Sequence, residues 1–201
     1  MDDFPTSRES TDIDELTESL ILNLPCVRLG RGGPPTVTRD MLLRLSAATA
    51  ILGGCMRVVD AFLNKTDIHL QQIAYFVTDA MLIFGLCGIY LSRSNRLGLA
   101  GLLGFAASIT GILMVRTFGP GAYLLGASVT LLGVVVLGVV MLARAAFPKS
   151  GPVLWIVSLI FGLIGLFPFG INWGVTLAGV IFGLGFIAAG IDLWTARPSL
   201  N

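Results

Sequence analysis

Residues 83–104 read IFGLCGIYLSRSNRLGLAGLLG, and this stretch decides the fold. An apolar run ends at Leu91, the polar island Ser92-Arg93-Ser94-Asn95-Arg96 follows, and the apolar run resumes at Leu97. A helix crossing the hydrocarbon of a bilayer needs roughly 20 mainly apolar residues. Arginine at bilayer centre costs roughly 2.5–3.5 kcal/mol on insertion scales. The island is therefore expected to be a turn at a membrane surface between two crossings.

Working outward from that turn, the apolar segments fall at about 42–63, 70–92, 97–116, 122–143, 153–170 and 174–194. Polar or helix-breaking residues separate them: Asn64–Asp67, Thr117–Gly121, Phe147–Pro152 and Phe167–Trp173. The fifth is the shortest, and Pro168 is placed to end it early. A five-span alternative makes residues 153–194 partly re-entrant. The expected fold is an all-α integral membrane protein of six transmembrane helices with short loops.

Composition agrees. Hydrophobic residues make up 55%, charged residues 12% and the mean hydropathy is +0.86. Soluble domains carry about 25% charged residues, so half that charge cannot cover a water-facing surface. Orientation follows from Lys and Arg near the segment ends. Arg28, Arg31, Arg39, Arg44, Arg93, Arg96, Arg144, Lys149 and Arg197 share one side, against Lys65 and Arg116 on the other. The expected topology has both termini in the cytoplasm and the protein in the cell (inner) membrane. Tyr90, Trp155 and Trp194 mark the cytoplasmic boundary, Tyr123 and Trp173 the outer one, as interfacial aromatics do. No removable signal peptide is expected at the start of the sequence, the first span serving as the insertion signal.

Three regions are expected: a cytoplasmic tail at 1–40, a six-helix domain at 41–195 and a short cytoplasmic tail at 196–201. Residues 1–20 hold seven acids against Arg8 alone, and residues 21–44 hold four arginines against Asp40. Thr11 or Asp12 can cap an amphipathic helix over 11–22, with Ile13, Leu16 and Leu20 on one face. Pro25, Gly30, Gly32, Gly33, Pro34 and Pro35 end any helix there. The tail reads either as partly disordered solvated chain or as a docking segment for a cytoplasmic partner.

Arg57, Asp60 and Asp79 are the candidate intramembrane polar cluster. Arg57 and Asp60 are three apart and share a helix face. Asp79 lies on the next helix, where Arg57 can reach both acids and leave a net charge of −1. A structural ion pair pinning two helices is one reading. A proton- or cation-coupled transport site, with Thr78 and His69 adding polar atoms, is the other. Asp192 beside Trp194 is expected to snorkel to water.

Glycine numbers 25. Gly179-x-x-x-Gly183 is a GxxxG, the candidate helix-packing motif, serving either a homodimer or packing within the bundle. A weak internal repeat accompanies it. Ile83-Phe84-Gly85-Leu86-Cys87-Gly88 parallels Ile160-Phe161-Gly162-Leu163-Ile164-Gly165, Leu99-Ala100-Gly101 parallels Leu177-Ala178-Gly179, and Gly111-Ile112 recurs as Gly190-Ile191. Three helices repeated once enter the membrane in opposite senses, which makes a 3+3 inverted repeat.

Enzyme chemistry finds little purchase. There is one histidine, and no metalloprotease, nucleophile-elbow, phosphate-loop or dinucleotide motif. Cys26, Cys55 and Cys87 have no C-x-x-C spacing, so no disulfide framework, metal or cofactor is expected. No basic stripe with interleaved aromatics points to nucleic acid. Asn64-Lys65-Thr66 matches the glycosylation pattern but abuts a span end. The expected function is a non-enzymatic multi-pass protein with a structural, regulatory or partner-binding role in the lipid bilayer. The alternative is a small-solute or ion transporter using Arg57, Asp60 and Asp79.

Overall fold

A computed structural model describes residues 39–62, 68–118, 123–144, 148–166 and 172–195. All belong to one compact unit, Thr38–Asn201. The second unit, Met1–Val37, lies outside the described residues, and with it the 11–22 helix and Cys26. The Asn64–Thr66 tripeptide, Pro168, Arg197 and the side chains of His69 and Tyr123 also lie outside them.

Five helices are present: α1 (Arg39–Asp60), α2 (Ile68–Phe118), α3 (Tyr123–Ala143), α4 (Ser150–Leu166) and α5 (Asn172–Thr195). Four are long and apolar enough to cross a membrane, with mean hydropathy from 1.5 to 2.5. The fourth in order, α4, has 17 residues and spans about 25 Å at 1.5 Å per residue. It starts at Ser150 rather than after Pro152, because proline in a first turn gives up an N–H that has no helical partner there.

The polar island at 92–96 is not a loop. Helix α2 runs through it and breaks two residues later, at Gly98, whose φ of 60° and ψ of −163° only glycine adopts readily. At 51 residues a straight α2 would measure about 76 Å. It instead folds back, because Asp79 and Arg116 form an ion pair although 37 positions separate them. Two antiparallel arms result, 68–97 and 99–118. Arg144, just past the end of α3, donates from Nη1 to the carbonyl of Arg96 at 3.0 Å. This bond satisfies one of the carbonyls the break deprives of a helical partner.

The helices close a ring. The first arm of α2 and α5 both pack on α1, the second arm of α2 packs on α3, and α4 lies between α3 and α5. Leu86, Ile89, Leu97, Val134, Leu137, Met141 and Phe186 fill the core. Trp155, expected at the membrane interface, is fully buried and packs against Phe186 with ring centroids 5.2 Å apart. Trp173 and Trp194 do face outward, at 55% and 54% exposure. So do Leu99, Phe62, Ile73 and Phe84, among many apolar side chains. A surface this apolar needs hydrocarbon as its solvent, and the fold is that of an α-helical membrane protein.

Two helix crossings are built alike. A methyl placed on Gly54 of α1 would lie 2.6 Å from the carbonyl oxygen of Gly183 of α5, and one on Gly183 would lie 2.7 Å from that of Gly54. Between the second arm of α2 and α3, Gly104 and Gly133 repeat this contact at 2.9 and 2.7 Å. Gly54 and Gly133 are 79 residues apart, as are Gly104 and Gly183. Further along, Gly190 rests on Ala47 and Ile51, while Gly111 rests on Gly126 and Thr130. The interval is again 79 for each member. Any side chain at these glycines would hold the backbones apart, so the close approach requires them. Gly183 thus packs inside the chain. Gly179 has no heavy atom within 4 Å of where its Cβ would stand, so the GxxxG pair does not act as one contact.

Candidate functional site

The last turn of α1 presents Arg57 and Asp60, and the first arm of α2 presents Tyr75, Thr78 and Asp79 beside it. Thr78 is fully buried. Its hydroxyl is 2.9 Å from the carbonyl of Ala74, which accepts the helical bond, and 3.5 Å from Oδ2 of Asp60. A fourth charge joins the candidate cluster of Arg57, Asp60 and Asp79. Arg116, counted from sequence with Lys65 as an outer-side cation, donates from Nε to Oδ2 of Asp79 at 2.6 Å, with Nη2 at 2.5 Å from the same oxygen. Its guanidinium also lies over the ring of Tyr75, 5.6 Å from the centroid.

Arg57 and Arg116 both lie within electrostatic reach of Asp60 and Asp79. The cluster is a quartet of two arginines and two aspartates. With all four ionised its formal charge is zero, not −1. Charge neutrality and shared hydrogen bonds are what make ion pairs tolerable at low dielectric. The side chains of Arg116 and Asp79 remain 30% and 19% exposed, so the site opens on the surface.

Depth follows from the fold-back. Asp79 precedes Gly98 by 19 residues and Arg116 follows it by 18. At 1.5 Å per residue each lies about 27–29 Å from the break, close to the roughly 30 Å thickness of the hydrocarbon. The quartet therefore sits near the end of the bundle opposite Gly98 rather than at its mid-length.

The opposite, Gly98 end carries different chemistry. Ser150 at the start of α4 donates its hydroxyl to Oδ2 of Asp192 on α5 at 3.0 Å. Asp192 thus has a protein partner where the sequence predicted only solvent. Deeper between the same helices, Ser158 donates to the carbonyl of Ala178 at 2.8 Å. Beside them a shallow apolar groove of about 390 Å³ runs between α1 and α5, lined by Ala48, Ile51, Leu52, Ile191 and Trp194. Among the described residues no three of His, Cys, Asp and Glu converge on a common point.

Arg116 and Tyr75 are the site residues that sequence reasoning missed. A signal existed: Asp79 and Arg116 are nearly equidistant from Gly98, as partners across a helical hairpin must be. No protein family, curated protein or solved structure matches the chain. The functional reading rests on the chain's own residues.

Proposed function

We propose that this is a non-enzymatic multi-pass membrane protein that crosses the bilayer six times and serves a structural, regulatory or partner-binding role. Each arm of α2 is long enough to cross once, and α4 makes the remaining short crossing. Arg44, Arg93, Arg96, Arg144 and Lys149 gather at the Gly98 end. By the preference of Lys and Arg for the inner face, that end is cytoplasmic, as are both termini. The tail at 1–40 is then positioned to meet a cytoplasmic partner. In this orientation the halves 39–97/99–118 and 123–195 run in opposite senses, and the matched glycine crossings support an inverted repeat.

One observation carries the reading of the charges: Arg116 on Asp79 makes the cluster neutral. A coupled transporter needs a carboxylate free to exchange its cation, whereas Asp79 is held against the Arg116 guanidinium and Asp60 lies within electrostatic reach of Arg57. The quartet's role is to pin α1 and the two arms of α2 at the outer face. The transporter reading retains one specific support, the paired crossings, since inverted repeats build many transporters.

Exchange of the two charges tests the pin. Asp79→Asn and Arg116→Gln should each lower thermal stability in detergent, and Asp79→Arg with Arg116→Asp should regain most of the loss. If Asp79→Asn leaves stability intact but abolishes an ion flux measured in proteoliposomes, the transporter reading replaces this one.

A further inference from the structure

The two halves share their crossings but not their middle helices. In the first half, the α2 arm sits directly on α1. A methyl on Gly85 would lie 2.7 Å from Cα of Ala50, and one on Gly88 would collide with Ser46. The sequence parallel places Gly162 and Gly165 of α4 at the corresponding positions, 77 residues on. They do not make the corresponding contacts. Gly162 meets only the end of the Leu131 side chain at 3.3 Å and Ala178 at 3.8 Å, and Gly165 meets Val175 and Gly174 of α5. The first arm of α2 leans on its first neighbour, α1, whereas α4 leans away from α3 toward α5.

Two copies of one unit, packed differently in a single chain, define two packings that the unit can adopt. Each half can in principle take the other's arrangement, because the shared crossings Gly54/Gly183 and Gly104/Gly133 stay in place while the middle helices exchange. We propose that the bundle has a second conformation in which the α2 arm 68–97 withdraws from α1 while α4 closes on α3. This rests on the inverted-repeat reading and goes beyond the static pin.

The charges assign the direction. Asp60 lies on α1, whereas Asp79 and Arg116 lie on the two arms of α2. The exchange therefore parts Thr78 from Asp60, a 3.5 Å contact, and leaves the tight Asp79–Arg116 pair intact. At the corresponding positions of the second half stand Val136, Val139, Ile156 and Thr195, which carry no charge. The quartet thus biases the equilibrium toward the packing described here. Equilibria of this kind shift only by the difference in interaction free energy between states.

Nitroxide pairs in the full chain, reconstituted in lipid nanodiscs with the native cysteines replaced, test this. One pair, Val59→Cys with Phe76→Cys, reports the gap between α1 and the α2 arm. Another, Val139→Cys with Val153→Cys, reports the gap between α3 and α4. All four parent side chains face outward, at 44–65% exposure. Pulsed electron resonance should find a minor population with the first distance longer and the second shorter. Gly85→Ala, which thrusts a methyl at the Ala50 backbone, should raise the minor fraction by at least about threefold. Gly138→Leu, whose Cβ would stand 3.4 Å from Pro152, should wedge α4 off α3 and lower it. Should Gly85→Ala fail to assemble, the wild type and Gly138→Leu decide alone. A single distance for each pair, unmoved by the substitutions that assemble, overturns the exchange. Impermeant thiol labelling of single cysteines at 59 and 139 separates the two claims. Label on opposite membrane faces with static distances leaves the inverted repeat standing without its motion, and label on one face removes both.

Discussion

Asp79 and Arg116 meet across a helical hairpin, Nη2 to Oδ2 at 2.5 Å, although each is separated from Gly98 by most of a membrane's thickness. The contact ties the far ends of two arms whose near ends are joined by a single glycine. The energetic value lies between that of an exposed pair, roughly 0–1 kcal/mol, and a fully buried pair with one partner removed, roughly 3–5 kcal/mol. Asp79→Asn should therefore cost about 1–3 kcal/mol. Arg116→Gln should cost as much, and the double variant should cost less than the sum of the two. Thermal unfolding in detergent by circular dichroism reads the cycle, and strict additivity would remove the coupling.

The fold-back itself depends on one backbone conformation. At φ of 60° and ψ of −163°, a region essentially reserved for glycine, a residue with a Cβ is strained by about 1–3 kcal/mol. Gly98→Ala should lower the unfolding midpoint and expose the 92–97 segment to protease in inverted vesicles. Arg144→Gln removes the bond to the Arg96 carbonyl and should act in the same direction with a smaller effect. A Gly98→Ala protein with unchanged midpoint would place the turn elsewhere.

Much of this was legible beforehand, and the limits have physical causes. Apolar runs of membrane-crossing length, bounded by polar residues, revealed the helices, because hydrocarbon tolerates few other ways of satisfying a backbone. The island at 92–96 was expected to be the turn itself, but α2 continues through it and the break falls two residues on, at Gly98, where glycine alone takes the required conformation readily. Arg57, Asp60 and Asp79 were singled out together from sequence because charges in apolar segments must find partners. Arg116 was read as a topology marker, since its partner lies 37 positions away and only the hairpin brings them together. The Gly179-x-x-x-Gly183 spacing could not tell which glycine touches a neighbour. That depends on how α5 is rotated in the ring.

That rotation yields a paired prediction. Gly54→Val places branched carbon against the Gly183 carbonyl and should sharply reduce the yield of folded monodisperse protein. Gly179→Ala enters open space and should leave yield and midpoint within about 0.5 kcal/mol of wild type, as is usual away from packed features. Size-exclusion chromatography after detergent extraction compares them. Equal damage from both would place Gly179 at a contact.

The three tryptophans should differ in their access to lipid. Trp155 is shielded by Phe186 and Gly185, whereas Trp173 and Trp194 face outward near the two ends of α5. In brominated phospholipids, a variant retaining only Trp155 should keep most of its fluorescence. Variants retaining only Trp173 or only Trp194 should be quenched strongly. Equal quenching of all three would put Trp155 on the outside of the ring.

The most direct measurement addresses whether α2 crosses twice. Single cysteines at Ser94 and Thr117, in a chain otherwise free of cysteine, are exposed to a membrane-impermeant maleimide in intact cells. Label at 117 without permeabilisation, and at 94 only after it, is the predicted result. Label at both from the same side would contradict the hairpin, and with it the quartet and the six-span topology.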